Sequence, residues 1–230
     1  MKEEGLPNII ETLRLDKNFG HAPESSLFEL ARAARRRTFS KGAYIFHAGD
    51  ASDYFYLVDS GRVILTRDAP SGKSFTFLVA VRGVTLNAVA CFKPRPRFFS
   101  ARAAEQTTVI AIPSREFKCW VLGNPGVAAA ILDTMGDLLD GAYNRIIDLI
   151  DESVEQRIVN ALTMLSSRIG PNLPLTNNDI ADMTGTSRES AARVISRLQK
   201  TGLLAKSRSH IEILNMSQLD GLSTGPIFIV

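Results

Sequence analysis

The sequence has few cysteines and no long uncharged apolar run. Its two cysteines, Cys91 and Cys119, are too few for a disulfide framework or for a four-cysteine zinc or iron–sulfur site within one chain. No apolar stretch approaches the roughly 20 residues that span a bilayer, so no membrane segment is expected. The first residues, Met1 to Gly5, lack the apolar core of a signal peptide. We therefore expect a protein of a reducing cytoplasm.

The residues that are present describe a globular chain with one strongly basic segment. The 230 residues are 45% hydrophobic and 22% charged, with a formal net charge of +3. Such a chain is too apolar and too weakly charged for disorder, and its length fits one large domain or two smaller ones. Between Ser187 and Arg208, one acidic residue, Glu189, accompanies six basic residues. This local concentration indicates an anionic partner.

The N-terminal half has the pattern of an antiparallel sheet domain. A helix is predicted over residues 24–36, after a leader that we expect to be unstructured. Turn signals such as Ser60-Gly61 then separate short β-rich runs, which are predicted at 43–46, 54–58, 62–66, 74–81 and 107–112. Several short strands at such spacing favour a barrel or sandwich over βαβ units.

After Pro113 the spacing of the apolar residues becomes that of helices, which are predicted over 114–122, 125–149 and 153–168. The second of these carries an apolar stripe at intervals of three and four, which is typical of a coiled-coil seam. Its members are Ile131, Met135, Leu138, Ala142, Ile146 and Leu149. Packing within its own domain is the alternative, since Leu132 and Leu139 add apolar surface beside the stripe. We favour a dimer interface.

The C-terminal third has the pattern of a winged helix-turn-helix. Two short helices, predicted over 177–183 and 187–201, flank Thr184-Gly185-Thr186, and a predicted strand pair follows them. In the second helix four apolar residues are expected to face inward, namely Ala191, Val194, Ile195 and Leu198. Thr176 and either Thr186 or Ser187 are the candidate N-caps.

The outward face of the second helix carries the candidate base-reading residues Arg188, Glu189 and Arg193. They begin at the helix N-terminus, the end that enters the major groove in this motif. Arginine can donate two hydrogen bonds to guanine, and glutamate can accept one from cytosine. An ordinary exposed charged helix is the alternative. The candidate phosphate contacts are Thr176, Ser187, Arg197, Lys200, Lys206 and Arg208.

With these features the chain resembles the Crp/Fnr family of bacterial transcription regulators over nearly its whole length. The motifs Lys41-Gly42-x-x-Ile45-x-x-x-Gly49-Asp50 and Tyr56-Leu57-Val58-x-x-Gly61-x-Val63 resemble the family's β-roll of the cyclic-nucleotide-binding type. The resemblance implies an α+β fold in three parts. These are an N-terminal, antiparallel, jelly-roll-like β-roll over 1–123, a long dimerisation helix over 124–150, and a winged helix-turn-helix over 151–230.

The resemblance also implies the partners and the DNA sequence. The family's base-reading positions fall on Arg188, Glu189 and Arg193, an arrangement that implies half-sites similar to TGTGA. Ala192 stands where Fnr-type regulators usually carry serine, a departure from that subtype. The implied partners are double-stranded DNA, a second copy of the chain and, for an activator, RNA polymerase.

The implied effector site departs from that of the cyclic-AMP members. Those carry Gly-Glu to hold the ribose and Arg-Ser to hold the phosphate, whereas Asn87-Ala88 and Phe99-Ser100 stand at these positions here. A cyclic phosphate would lose a charge-assisted hydrogen bond worth roughly 1.5–3 kcal/mol. This loss argues against cyclic AMP. Arg95, Arg97 or Arg102 could replace the missing arginine, but we expect Arg95 and Arg97 to be solvated in a proline-broken loop.

An apolar pocket is the remaining effector candidate. Its predicted members are Phe75, Phe77, Asn87, Ala88, Phe92, Phe98, Phe99 and Ser100. A packed barrel core is the alternative to a site for haem or for another small hydrophobic compound. Haem would need an axial ligand, and the candidates are Cys91, Cys119, Met135, His47 (expected to be exposed) and His21 in the leader. None of the five is favoured, and the cysteine count excludes an iron–sulfur cluster.

No enzyme signature is found in the sequence. It has no Gly-x-Ser-x-Gly elbow, no phosphate-binding glycine loop and no His-Glu-x-x-His zinc motif, so we expect no catalytic or metal-binding residues. A second functional class is a small-molecule sensor that acts through a protein partner and has a non-functional helix-turn-helix. The intact Arg188, Glu189 and Arg193 argue against it.

Overall fold

The computed structural model describes residues 6–20, 22–69, 74–93 and 95–224. His21 and the side chain of Leu149, both named above as candidates, lie outside the described residues. The chain divides into two compact units, of which one comprises Met1–Arg67 and Leu78–Gly136, and the other comprises Asp68–Phe77 and Asp137–Val230. The predicted three-part division stays a prediction. Within the described residues, no helix has the length and apolar character needed to cross a membrane.

The N-terminal elements are two helices followed by seven strands. In chain order they are α1 (Leu6–Arg14), α2 (Glu24–Ala33), β1 (Arg35–Phe39), β2 (Tyr44–Phe46), β3 (Tyr54–Ser60), β4 (Val63–Asp68), β5 (Ser74–Ala80), a short 3₁₀ helix (Ala88–Phe92), β6 (Ser100–Ala103) and β7 (Thr107–Pro113).

The strands form two antiparallel sheets, as the sequence predicted. One has the order β1-β7-β3 and the other the order β2-β6-β4-β5. In the first sheet the central strand β7 is buried at most of its positions, and its Ile110 lies opposite the buried Leu57 of β3. This register directs both side chains into a core that lies under the helices.

Aromatic side chains fill that core. The rings of Phe55 and Phe117 stack with centroids 4.0 Å apart, and Phe19 meets Trp120 edge to face at 5.5 Å. Phe19 is 1% exposed and Leu13 is fully buried. The expectation of an unstructured leader is therefore wrong, because this segment forms α1 and supplies apolar side chains to the core.

Two strands of these sheets, β1 and β6, were not predicted from the sequence. The helix predicted over 24–36 ends at Ala33, and Arg35 and Arg36 instead pair with Ala111 and Ile110 as part of β1. Strand β6 pairs with both β2 and β4. Both strands are rich in arginine or alanine, residues that favour helices, and only pairing with distant strands makes them extended.

After β7 come helix α3 (Ser114–Gly123), as the sequence predicted, and the long helix α4 (Pro125–Asp151). The C-terminal elements follow α4. They are α5 (Val154–Ile169), β8 (Asn172–Leu173), α6 (Asn177–Thr184), α7 (Arg188–Lys200), β9 (Leu204–Ser207), β10 (His210–Ile213) and α8 (Met216–Leu222). Strands β8, β10 and β9 form a small antiparallel sheet beside the helix pair α6 and α7. This layout confirms the predicted fold class.

Candidate nucleic-acid interface

A capping box starts helix α6. The hydroxyl oxygen of Thr176 accepts a hydrogen bond from the backbone amide of Asp179 at 3.2 Å, and the Asp179 carboxylate accepts one from the Thr176 amide at 2.7 Å. The helix ends at Gly185, whose φ of 65° lies in the left-handed region that glycine adopts at little cost. This ending turns the chain sharply toward α7.

Ser187 caps helix α7 and accepts a hydrogen bond from the Ser190 amide at 3.1 Å. The four residues predicted to face inward, Ala191, Val194, Ile195 and Leu198, are all buried. Because these residues fix the rotation of the helix, its other side is presented to solvent. The N-cap and the inward face are as the sequence predicted.

The outward face of α7 brings the three candidate base-reading residues together. Arg188, Glu189 and Arg193 are all exposed and lie in the first two turns of the helix. Arg193 donates a hydrogen bond from Nη2 to the Ser190 hydroxyl at 3.2 Å. Hydrogen bonds from its own backbone amide and from the Ser187 hydroxyl lower the pKa of the Glu189 carboxyl. At neutral pH this face therefore carries two donors and one charged acceptor.

A polar groove beside this face gathers four of the candidate DNA-binding residues. It has a volume of about 400 Å³ and is lined by Thr176, Asn177, Asn178, Arg188, Lys206, Ser207 and Arg208. Burial lowers the pKa of Lys206, while the charge of Asp179 opposes that shift. The start of α6, the start of α7 and the turn between β9 and β10 thus share one surface with exposed cationic groups.

The remaining candidate phosphate contacts lie elsewhere on α7. Lys200 is exposed at the last residue of the helix. The exposed Arg197 guanidinium forms an ion pair, in which its Nη2 lies 2.6 Å from a carboxylate oxygen of Glu155 on α5. Lys200 and Arg197 are not among the residues that line the polar groove.

Sequence reasoning missed one residue that supports the helix pair. Arg157 of α5 is 9% exposed, and it donates hydrogen bonds to the backbone oxygens of Thr184 at 2.9 Å and of Glu152 at 2.7 Å. The first of these bonds ties α5 to the end of α6. A lone arginine next to the apolar residues Ile158 and Val159 was the available signal.

Two of the candidate effector residues, Phe92 and Phe98, make ring contacts with different partners. Phe92 meets Phe117 edge to face at 5.9 Å, whereas Phe98, 60% exposed, meets Phe99 at 5.0 Å and lies under the guanidinium of Arg67. Of the other candidates, Phe75 and Phe77 are half-buried on β5. Ala88 begins the 3₁₀ helix, and Asn87 precedes it with a φ of 58°. The Ser100 hydroxyl accepts a hydrogen bond from the Ala48 amide at 2.9 Å.

Arg97 is buried, which contradicts the expectation that it is solvated. Its guanidinium donates a hydrogen bond to the backbone oxygen of Tyr54 and lies over the rings of Phe46 and Tyr56, with centroid distances of 3.9 Å and 5.3 Å. Burial lowers the pKa of Arg97. Arg95 and Arg102 are exposed. The arginine therefore turns into the β-roll although prolines interrupt its loop.

The candidate axial ligands for haem are scattered. The Cys91 sulfur accepts a hydrogen bond from the Ser114 hydroxyl at 3.3 Å, and burial raises the pKa of this thiol. Cys119 is exposed, Met135 is 39% exposed, and the His47 ring stacks on Tyr44 at 4.2 Å. Among the described residues, no group of three or more His, Cys, Asp and Glu side chains could hold a metal ion.

The predicted dimer stripe on α4 is largely exposed in the single chain. Ile131 is buried against the core and Leu138 is half-buried, whereas Met135, Ala142 and Ile146 are exposed. The neighbouring apolar residues Leu132, Leu139, Tyr143, Ile147 and Ile150 are between 52% and 77% exposed. A second chain could cover this surface.

Two protein families have models that match this chain. The cyclic nucleotide-binding domain matches residues 36–121, and the Crp-like helix-turn-helix domain matches residues 156–222. The Cyclic AMP receptor protein of Thermus thermophilus is 27% identical over 90% of this chain and 95% of its own. The CRP-like cAMP-activated global transcriptional regulator of Mycobacterium tuberculosis is 23% identical over 85% of this chain and 91% of its own.

Solved structures share the architecture. The catabolite activator protein of Thermus thermophilus superposes with a TM-score of 0.53 at 25% identity, covering 90% of this chain and 97% of its own. The c-di-GMP responsive regulator CLP of Xanthomonas campestris gives a TM-score of 0.72 at 20% identity, covering 84% of this chain and all of its own. The second likeness concerns the fold alone.

Proposed function

The chain belongs to the Crp/Fnr family of DNA-binding transcription regulators, and on that premise we propose that it binds palindromic half-sites similar to TGTGA as a homodimer. The observation that carries this proposal is the outward face of α7. Arg188, Glu189 and Arg193 are exposed together in the first two turns. Such a face provides the donors and the acceptor that read guanine and cytosine edges in the major groove.

Phosphate contacts would fix the register of this helix on the duplex. Thr176, Arg188, Lys206 and Arg208 share one groove at the start of α7, which suits a phosphate path beside the major groove. Ser187, Arg197 and Lys200 extend the proposed contacts along α7. In this arrangement Lys206 and Arg208 contribute affinity on any sequence, and Arg193 contributes discrimination.

Dimerisation would use helix α4. Its exposed apolar residues, which include Leu139, Ile146 and Ile150, form a surface that a second copy of the same helix can cover. Two recognition helices related by a two-fold axis would then enter major grooves one helical turn apart. The proposed division into β-roll, dimerisation helix and DNA-binding domain at 1–123, 124–150 and 151–230 follows these roles. For an activator, RNA polymerase would be a further partner in the cytoplasm.

The effector that we propose is a small hydrophobic compound rather than cyclic AMP. Two relatives are named for cyclic AMP. The family resemblance implies Gly-Glu and Arg-Ser in the cyclic-AMP members, where this chain has Asn87-Ala88 and Phe99-Ser100. Haem fits the residues poorly, because burial favours the protonated form of Cys91 and His47 is exposed against Tyr44. Phe92, half-buried at the edge of the core, remains the candidate contact.

Binding to two labelled duplexes tests the DNA-binding proposal. One duplex carries a TGTGA palindrome and the other a scrambled sequence, and fluorescence anisotropy reports affinity. We expect Arg193→Ala to cost about 1–3 kcal/mol on the palindrome and to relax specificity at one base pair, while Lys206→Ala weakens both duplexes alike. Equal losses on both duplexes for both variants would contradict the assigned roles.

A sensor that acts through a protein partner is the second candidate function. If this second function is correct, the wild-type chain will have no measurable affinity for either duplex, even at low salt, where the electrostatic contribution to DNA binding is largest.

A further inference from the structure

A carboxylate and a guanidinium meet across a groove between α5 and α7. Arg197 Nη2 lies 2.6 Å from Glu155 Oε2, and the two side chains are 59% and 39% exposed. The groove has a volume of about 490 Å³ and is lined by Ser153, Val154, Glu155, Ser190, Arg193, Val194 and Arg197. Glu155 therefore places a negative charge beside the proposed DNA-reading helix.

The spacing along α7 puts this charge next to a proposed base-reading residue. Ser190, Arg193 and Arg197 follow one another at intervals of three and four, so they lie along one side of the helix. Arg193 is held to the Ser190 hydroxyl at 3.2 Å, whereas Arg197 is held to Glu155. A DNA phosphate that approaches this side of the helix would compete with Glu155 for the same guanidinium.

We propose that Glu155 holds Arg197 in the free protein and is displaced from it by a DNA phosphate. This inference rests on the proposed DNA-binding function. An exposed ion pair is weak enough to be exchanged in this way. Because the Arg197 guanidinium must leave Glu155 before it can contact a phosphate, Glu155 lowers affinity on every sequence alike and limits non-specific binding.

The test is a double-mutant cycle in the full-length chain on the palindromic and scrambled duplexes. We expect Glu155→Gln to tighten binding to both duplexes by about two- to fivefold, the range expected for one exposed pair. In the Arg197→Gln background the same substitution should have no effect, because the competing guanidinium is gone. Glu212→Gln is the matched control, since it removes one negative charge from β10, a strand that does not line the groove.

Three outcomes would overturn the inference while leaving DNA binding intact. Weaker binding by Glu155→Gln would mean that Glu155 orients Arg197 for a productive contact. A gain that persists in the Arg197→Gln background, or an equal gain from Glu212→Gln, would mean simple repulsion between the carboxylate and DNA. Absence of binding to either duplex by the wild-type chain would overturn both this inference and the proposed function.

Discussion

The guanidinium carbon of Arg97 lies 3.9 Å from the centroid of the Phe46 ring, inside the β-roll. Arg97 is 3% exposed. Its backbone also holds the loop in place: the Arg97 amide donates a hydrogen bond to the Asp50 backbone oxygen at 2.8 Å, and the Arg97 backbone oxygen accepts one from the Gly49 amide at 2.9 Å. The Tyr54 backbone oxygen accepts a further hydrogen bond from the guanidinium. One arginine thus fastens the loop that follows the 3₁₀ helix to strands β2 and β3.

Removing this arginine should destabilise the N-terminal unit. We expect Arg97→Ala to lower the free energy of unfolding by about 2 kcal/mol or more, because a buried cation–π contact and a charge-assisted hydrogen bond are lost together. Urea unfolding followed by the fluorescence of Trp120, the single tryptophan, measures this loss. Arg95→Ala, at an exposed arginine of the same loop, should change the free energy little. Equal effects of the two substitutions would contradict the anchoring role.

Local sequence signals could not have placed Arg97. The prolines on either side of Arg95 indicate an exposed loop, and the partner that accepts the guanidinium hydrogen bond is 43 residues away in the sequence. Strand β1 was not predictable for the same reason, since its three arginines become extended only through pairing with β7. Contacts of this kind are set by the tertiary fold, which outweighs local propensity.

The helix pair, in contrast, was predictable from residues close in sequence. Thr176 and Asp179 are three residues apart and form their hydrogen bonds within one turn, and Gly185 ends α6 through its own backbone freedom. The apolar spacing of α7 fixed which of its residues face outward. The pair between Glu155 and Arg197 was not predictable, because it joins two helices whose packing the sequence pattern does not specify.

The capping box of α6 should have a measurable effect on stability. Thr176→Ala removes the hydroxyl that accepts from the Asp179 amide, so we expect a loss of about 1 kcal/mol in the free energy of unfolding. Thr176→Ser keeps the oxygen and should retain most of that stability. Thermal unfolding of the two variants followed by far-ultraviolet circular dichroism makes the comparison. An alanine variant as stable as the serine variant would show that the cap contributes nothing.

Helix α4 provides a prediction about oligomeric state. Ile146 is 55% exposed in the single chain, and the proposed dimer would bury it against a second apolar surface. A charge at such a position is costly unless it is paired, so Ile146→Glu should convert the dimer to a monomer. Sedimentation velocity at micromolar concentration distinguishes the two species. Asp133→Asn, at an exposed position of the same helix off the apolar stripe, should remain dimeric. A monomeric wild-type chain would contradict the proposed interface.

A buried carboxyl group gives the chain a pH dependence that can be assigned to one residue. Asp16 is 6% exposed, and burial raises its pKa, although its Oδ1 accepts a hydrogen bond from the Asn18 amide at 2.9 Å. A raised pKa in the folded state means that the folded protein binds the proton more tightly than the unfolded chain does. The stabilisation is therefore complete below the unfolded pKa and is lost as the pH rises through the folded pKa.

Asp16→Asn removes this titration and keeps an oxygen that can accept from the Asn18 amide. The difference in unfolding free energy, variant minus wild type, should therefore be more positive at about pH 7, where the wild type holds a buried charge, than at about pH 4. Urea unfolding followed by Trp120 fluorescence at the two pH values measures it, and subtracting the wild type cancels the titration of all other groups. Asp133→Asn, which makes the same substitution at an exposed aspartate, serves as the control variant. A difference for Asp16→Asn that is constant, or that is larger at about pH 4, would mean that burial does not govern this carboxyl.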